Sequence, residues 1–475
     1  MNRIKLLLTG SLFAALICSG LLYGQENEKY YRRAPDVLPG TLPEMRTSDF
    51  WIDKSTDPDK VILNQDAIER MNQEYRSRMK DLTSLEHDLG AAIEKEVQRW
   101  SGLLLFPAEV SGLPHNELVK TVKDMVDSQV KMLRGKEHGN ILGIEYADWE
   151  INALESELNI EKISEIREIQ QGITVRDCRI RVIPTLRPEH VAIGDNRRAR
   201  WDMFNLDIVP IASPVIILHT SKSSGFLLVI SSRGYGWIRS ENIAFPENDQ
   251  SDNLYLQEDF LVCTGEQVPF YSSPECKLVS GWLRMGDKIK YSIRDGQFTV
   301  DVPRRKTDGS LVIERAWLKK DADVNRGFLP YTRRNIINQA FKLLDLVYDY
   351  TGAWYGRNHV TILRDLFACF GFELPNNGVL LKAYNPAGII SPEKGKEEQY
   401  RAIMENEPFI TIQISGGHSQ LYLGTHERTP FVFDTHGYGY TGDDGNEYII
   451  RRSCIYTPEI PAYMLKNDLF FVKLK

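Results

Sequence analysis

At 475 residues the chain is too long for one core, and two to four domains are expected. Its 42% hydrophobic, 10% aromatic and 26% charged residues are ordinary for soluble globular protein, so no compositional class is singled out. A net charge of −7 argues against a general nucleic-acid binder, which carries a basic face.

The first 24 residues read as a signal peptide: Arg3 and Lys5 accompany an apolar run from Ile4 to Leu22, and Gly24-Gln25 offers a small-residue cleavage point. Export to the periplasm or beyond follows. An uncleaved anchor is the first alternative, and lipid attachment at Cys18 the second, against which the bulky Leu16-Ile17 counts. No later segment is long and apolar enough to span a membrane. Processing leaves Cys178, Cys263, Cys276, Cys369 and Cys454, an odd number, so at least one thiol stays unpaired. Cys263 and Cys276 either close a small loop or remain two thiols.

Residues 26 to 45, with Pro35, Pro39 and Pro43, read as an extended leader. Residues 45–168 follow as one mainly helical domain. Asn64 or Asp66 is a candidate cap for apolar Ala67, Ile68 and Met71, and helical periodicity recurs over Leu82–Trp100, Leu118–Leu133 and Tyr146–Leu158. From about residue 170 short β-rich runs predict two small all-β barrels, over 170–250 and 251–325. The first holds Ile173–Arg176, Val209–Leu218, Gly225–Ser231 and Gly236–Ile238. The second holds Leu261–Cys263, Val268–Tyr271, Ile289–Ile293 and Gln297–Val302, with Asp308-Gly309 a strong hairpin signal. Residues 332–475 read as an α+β domain. One helix starts near Asn335 and carries its apolar spacing to Val347, and a second runs from Thr361 to Phe370 and stops at Gly371. Strands are expected over Phe409–Ile414, Ser419–Leu423, Phe431–Phe433 and Phe470–Leu474.

The stretch from Asn335 to Asn377 resembles, without a gap, the catalytic segment of NlpC-type bacterial cell-wall endopeptidases, which are papain-like cysteine peptidases. The domain order is similar to members of that family carrying two SH3-like domains. Supporting stretches are Thr47–Ile52, Asp59–Leu63, Val215–Ser221 with Gly234–Ile238, and Arg326–Tyr331. The implied architecture is a helical N-terminal domain, two SH3-like barrels and a C-terminal α+β papain-like domain. The implied activity is cleavage between γ-D-glutamate and the diamino acid of peptidoglycan stem peptides. That chemistry needs a thiolate at a helix N-terminus, a histidine to exchange its proton and a third residue to orient the histidine. The family's Asp-Cys-Ser triplet is here Asn358-His359-Val360, and an imidazole cannot supply a thiolate. The family histidine is matched by His418 in His418-Ser419-Gln420-Leu421-Tyr422-Leu423-Gly424, and the orienting residue by Asp434, with His436 as a competing neighbour. The family's Tyr-Gly-Trp-Gly-Gly becomes Tyr348-Asp349-Tyr350-Thr351-Gly352, keeping aromatic walls. Asn358 stands where the family binds the free amino end of its peptide.

Other readings of these residues are structural. Cys369, mid-helix beside Phe367 and Phe370, reads as a packed thiol and not a replacement nucleophile. His359, His418 and Asp434 would make a zinc set if they converged, against a plain hydrogen-bonded histidine pair. Tyr235, Trp237 and His219 either line a peptide site or fill a barrel, and Gly416-Gly417 reads as a turn.

The expectation is therefore an exported, non-hydrolytic chain binding a stem peptide or similar small peptide, with no cofactor and no nucleic-acid partner. Tyr348, Tyr350, Asn358, His359, His418 and Asp434 would form the cleft, with Tyr235 a further candidate. The alternatives are a hydrolase with a changed, metal-assisted mechanism, and a structural protein whose cleft His359, Val360 and Thr351 close.

Overall fold

The computed structural model describes residues 32–80, 113–135, 138–139, 144–166, 169–193, 196–247, 259–437, 439–460 and 464–475. The signal peptide with Cys18, the start of the leader and the Leu82–Trp100 helix lie outside them. No described helix is long and apolar enough to cross a membrane.

The C-terminal part is built on a six-stranded antiparallel sheet. Its order is Pro386–Ile390, Leu469–Lys473, Thr411–Ser415, His418–His426, Thr429–His436, Arg452–Tyr456. Alternation divides the central strands. Ile412, Ile414, Leu421, Leu423, Phe431, Phe433 and Ile455 face a core shared with helices Arg333–Lys342 and Thr361–Ala368. The other face carries Gln413, His418, Gln420, Asp434, His436 and Tyr456, so one face builds the core and the other bears the polar groups. Helix Thr361–Ala368 is buried from Thr361 through Phe367, and its two charged members, Arg364 and Asp365, are bonded to each other. It ends where Gly371 turns with φ +96°, as expected of a glycine stop.

Helix Arg333–Lys342 is capped by Thr332, whose hydroxyl accepts from Asn335 N–H at 3.2 Å, so Asn335 is an interior residue and not the start. The helix also stops before Val347, which is 74% exposed.

The helical N-terminal region does not form one unit. Met45, Trp51, Ile52, Ile68, Tyr75 and Met79 join the core of the C-terminal sheet. Helix His115–Gly135 and helix Asp148–Glu157 instead pack on the first β unit, where Leu118, Val122, Val126 and Leu154 meet Ile216, Leu228 and Trp237. Helical periodicity shows that a face must be buried but not which partner buries it, and so the 45–168 block was drawn as one domain. Asn64 does cap helix Gln65–Lys80, accepting from Ala67 N–H at 2.9 Å.

Two seven-stranded sheets fill the middle of the chain. The first runs Ile243–Ala244, Gln170–Thr174, Pro214–Thr220, Phe226–Ser231, Gly234–Arg239, Cys178–Arg181, Asn205–Val209. The run read as one strand over Val209–Leu218 is broken at residues 210–213, because Ala212 takes φ +59°. The second sheet spans Phe260–Cys263 to Val324–Arg326, and its strands Gln297–Arg305 and Leu311–Trp317 meet at the Asp308-Gly309 turn.

Candidate functional site

The cleft lies where the first β unit meets the C-terminal domain. It encloses about 780 Å³ and is lined from both sides. Met203, Asn205, Arg233 and Tyr235 come from the β unit. Tyr348, Tyr350, Thr351, Asn358, His359, Asn376, Asn377 and His418 come from the C-terminal domain. A volume of this size contradicts the reading of a cleft closed by His359, Val360 and Thr351.

His418 is placed by a two-residue hairpin. Gly416 and Gly417 take φ +55° and +84°, the left-handed pair that such a turn demands, and Ser415 pairs with His418 across it. The His418 Nε2 is hydrogen-bonded to Asp434 Oδ2. Tyr456 donates its hydroxyl to the same oxygen at 2.9 Å, Gln420 Nε2 donates to Tyr456, and Gln413 Nε2 donates to Gln420 Oε1 at 2.5 Å. This buried chain holds the carboxylate in place. His436 does not take that role: its ring lies 5.0 Å from that of His418 while Asp434 makes the bond. Burial pushes the Asp434 carboxyl up to about 7 and the His418 imidazolium down to about 3, so an uncompensated charge on either is disfavoured.

His359 sits at the entry to helix Thr361–Ala368, facing His418. Asn358 caps that helix, its Oδ1 accepting from the N–H groups of Val360 and Thr361, both at 2.9 Å. Its Nδ2 donates to the Tyr350 carbonyl at 2.7 Å. Both ends of the Asn358 amide are thus engaged by the fold, and the residue also lines the cleft.

The His359 Nδ1 accepts from Ser419 N–H at 3.1 Å, which requires the Nε2-protonated neutral ring. Its ring lies 4.2 Å from that of His418 at 31°. Metal ligands must converge their in-plane lone pairs on one point, whereas these rings lie face to face, with one nitrogen of each committed to Ser419 and Asp434. The zinc set of His359, His418 and Asp434 is therefore not assembled, and no other described group of three His, Cys, Asp or Glu has the spacing for a metal.

Burial, then the positive neighbours His418 and His436 would become, holds the His359 imidazolium well below its ordinary 6.5. The unfolded ring takes a proton below about 6.5 and the folded ring does not, so this contribution is whole above that pH and is lost as pH falls. Between about 4 and 6.5 the raised Asp434 and lowered His418 offset each other, so His359 supplies the site's own slope, at most about 1.4 kcal/mol per pH unit, while Asp287, pushed up to about 7 elsewhere, acts in the opposite sense. Melting curves between about pH 5 and 8 are expected to show the stability of the wild type falling relative to His359→Asn as the pH is lowered.

The aromatic wall is intact. Tyr348 and Tyr350 both meet Trp201 of the first β unit, with ring centroids 5.8 Å and 5.0 Å away. Trp201 was not anticipated, because a lone tryptophan between turn residues carries no period. Tyr235 lines the cleft, while its hydroxyl is bonded to Ser128. Trp237 is fully buried and donates to Gln129 at 3.0 Å, and His219 binds the Leu158 and Asn159 carbonyls, so both are structural.

Among the described residues no cysteine lines the cleft. Cys369 is buried near the end of its helix, donates to the Cys263 carbonyl at 3.5 Å, and is pushed up to about 12 by burial. Cys178, Cys263 and Cys454 are also buried and raised, and Cys276 lies partly exposed in the second β unit; all five are free thiols.

No family model matches the sequence, and no curated protein matches it. Among solved structures, an NlpC/P60 endopeptidase from Photobacterium damselae subsp. piscicida superposes with a TM-score of 0.69, covering 94% of this chain and 99% of its own at 15% identity. The chain has the fold of an NlpC/P60 endopeptidase. An NlpC/P60 family protein from Bacillus cereus is also similar, over 56% of this chain and 81% of its own, at 14% identity and a TM-score of 0.38.

Proposed function

We propose that this chain is an exported, non-hydrolytic NlpC-type protein that binds peptidoglycan stem peptides or a related small peptide. The two seven-stranded units then correspond to SH3-like domains over 170–250 and 251–325, the first supplying one wall of the cleft. One observation carries the reading. The position at the helix entry that faces the His418–Asp434 pair holds the neutral imidazole of His359, in a cleft that remains open and aromatic-walled. A neutral imidazole whose one lone pair, on Nδ1, is taken by the Ser419 N–H is a poor nucleophile toward an amide. The same cleft still offers Tyr348 and Tyr350, backed by Trp201, for packing against a ligand.

Calorimetric titration with L-Ala-γ-D-Glu-diaminopimelate tests this. Saturable binding without product is expected, and Tyr350→Ala should weaken it by about 10-fold, the loss typical of a truncated aromatic anchor. Absence of heat and of any shift in melting temperature with this peptide would refute the peptide-binding role.

A further inference from the structure

The polarity of the cleft is one-sided. Among the described residues that line it there is no aspartate or glutamate, and its two histidines are neutral, so Arg233 is the one described lining side chain with a permanent charge. Arg233 lies in the tight turn between strands Phe226–Ser231 and Gly234–Arg239, and its backbone is held at both ends. Its N–H donates to Ser231 Oγ at 3.1 Å, and its carbonyl accepts from Asn376 Nδ2 at 3.3 Å. The guanidinium makes no hydrogen bond or ion pair with any described residue, and its Nε is completely enclosed.

The nearby carboxylates are already committed. Asp207 binds Arg364 and accepts from Asn376 at 3.1 Å, Asp365 binds Arg357 at 2.9 Å and Arg364 at 3.0 Å, and Glu266 binds Arg357 at 3.0 Å. With Arg284 3.7 Å from Asp365, three arginines balance three carboxylates. Asp287 and Asp177 are turned to backbone amides, accepting from the Arg284 N–H at 2.8 Å and the Ile211 N–H at 3.1 Å. A half-buried guanidinium without an ion-pair partner is costly, and an anion that forks onto it removes that cost.

We propose that Arg233 anchors an anionic group of the bound ligand, a carboxylate of a peptide, and that the cleft does not select for a free amino end. This rests on the peptide-binding reading and gives its ligand a charge.

The full chain would be titrated with L-Ala-γ-D-Glu-diaminopimelate, its N-acetyl form, its fully amidated form and inorganic phosphate. The acid is expected to bind about 10- to 100-fold more tightly than the amide, the worth of a charge-assisted pair. N-acetylation should change affinity by less than about 3-fold, since no carboxylate waits for an ammonium. Arg233→Gln should abolish the preference for acid over amide, bringing the two affinities together. Should that variant fail to fold, Arg233→Lys replaces it, with a reduced ratio of acid to amide affinity expected. Equal affinity of the native chain for acid and amide, survival of the preference in Arg233→Gln, loss of binding on N-acetylation, or silence with every probe would each overturn the inference. Peptide binding indifferent to Arg233 would overturn it and leave the proposed function standing. Arg233-dependent binding of phosphate alone would preserve the anion anchor, but would overturn the carboxylate assignment and the peptide reading.

Discussion

A His359→Cys chain is expected to gain a thiol that alkylates at neutral pH at least about 10-fold faster than Cys276, the most accessible native one. Residue 359 enters helix Thr361–Ala368, where the positive end of the helix dipole favours an anion although Asn358 already caps the Val360 and Thr361 N–H groups. It also faces His418, which could then take the thiol proton with Asp434 behind it. The native thiols have no such help: Cys369 is pushed up to about 12 by burial, and Cys178, Cys263 and Cys454 are raised as well. Iodoacetamide labelling with peptide mapping between about pH 6 and 9 would give the rate and the thiol pKa. Adding Asp434→Asn should slow the new thiol, because the imidazole loses its orienting carboxylate. A residue-359 thiol that titrates near the ordinary 8.5 would show that neither the helix entry nor His418 acts on that position.

Asp365→Ala is expected to destabilise the protein by about 3–5 kcal/mol, the usual cost of removing one member of a buried ion pair. Burial opposes the Asp365 charge, yet Arg364, Arg357 and Arg284 outweigh it and hold the carboxyl far below the usual range. Without it, those guanidinium groups remain buried with too little countercharge. Asp207 belongs to the first β unit, Arg284 and Glu266 to the second, and Arg357 and Arg364 to the C-terminal domain, so the network fastens all three together. Urea unfolding of the variant should therefore begin with separation of these units, visible as a lower midpoint in the fluorescence of Trp201 at their junction. A loss below about 1 kcal/mol would mean that solvent reaches the network and screens it.

What could be read beforehand was local. Asp308-Gly309 forms its hairpin, Gly416-Gly417 its turn, and Gly371 its helix stop, because each depends on backbone conformations that few residues tolerate. Long runs such as Leu118–Leu133 became helices for the same short-range reason. What was missed depends on distant partners. Tyr456, which braces Asp434, lies on strand Arg452–Tyr456, whose Arg-Ser opening hid a five-residue β run. Helix Gly395–Met404, dominated by charged residues, shows only a weak apolar face. Arg233 enters the cleft, and Trp201 backs its aromatic wall, from more than a hundred residues upstream of His359, and no spacing rule reports which loop ends meet. Asn358 adds to its place in the cleft a local role as a helix cap.

The central claim is that the chain binds but does not cut. Its most direct test is incubation of the full native chain with L-Ala-γ-D-Glu-diaminopimelate at a concentration that saturates binding, followed by mass spectrometry for released diaminopimelate. Intact tripeptide from the native chain, alongside release by His359→Cys, is the predicted result. Diaminopimelate released by the native chain, and lost in His418→Ala, would contradict the account.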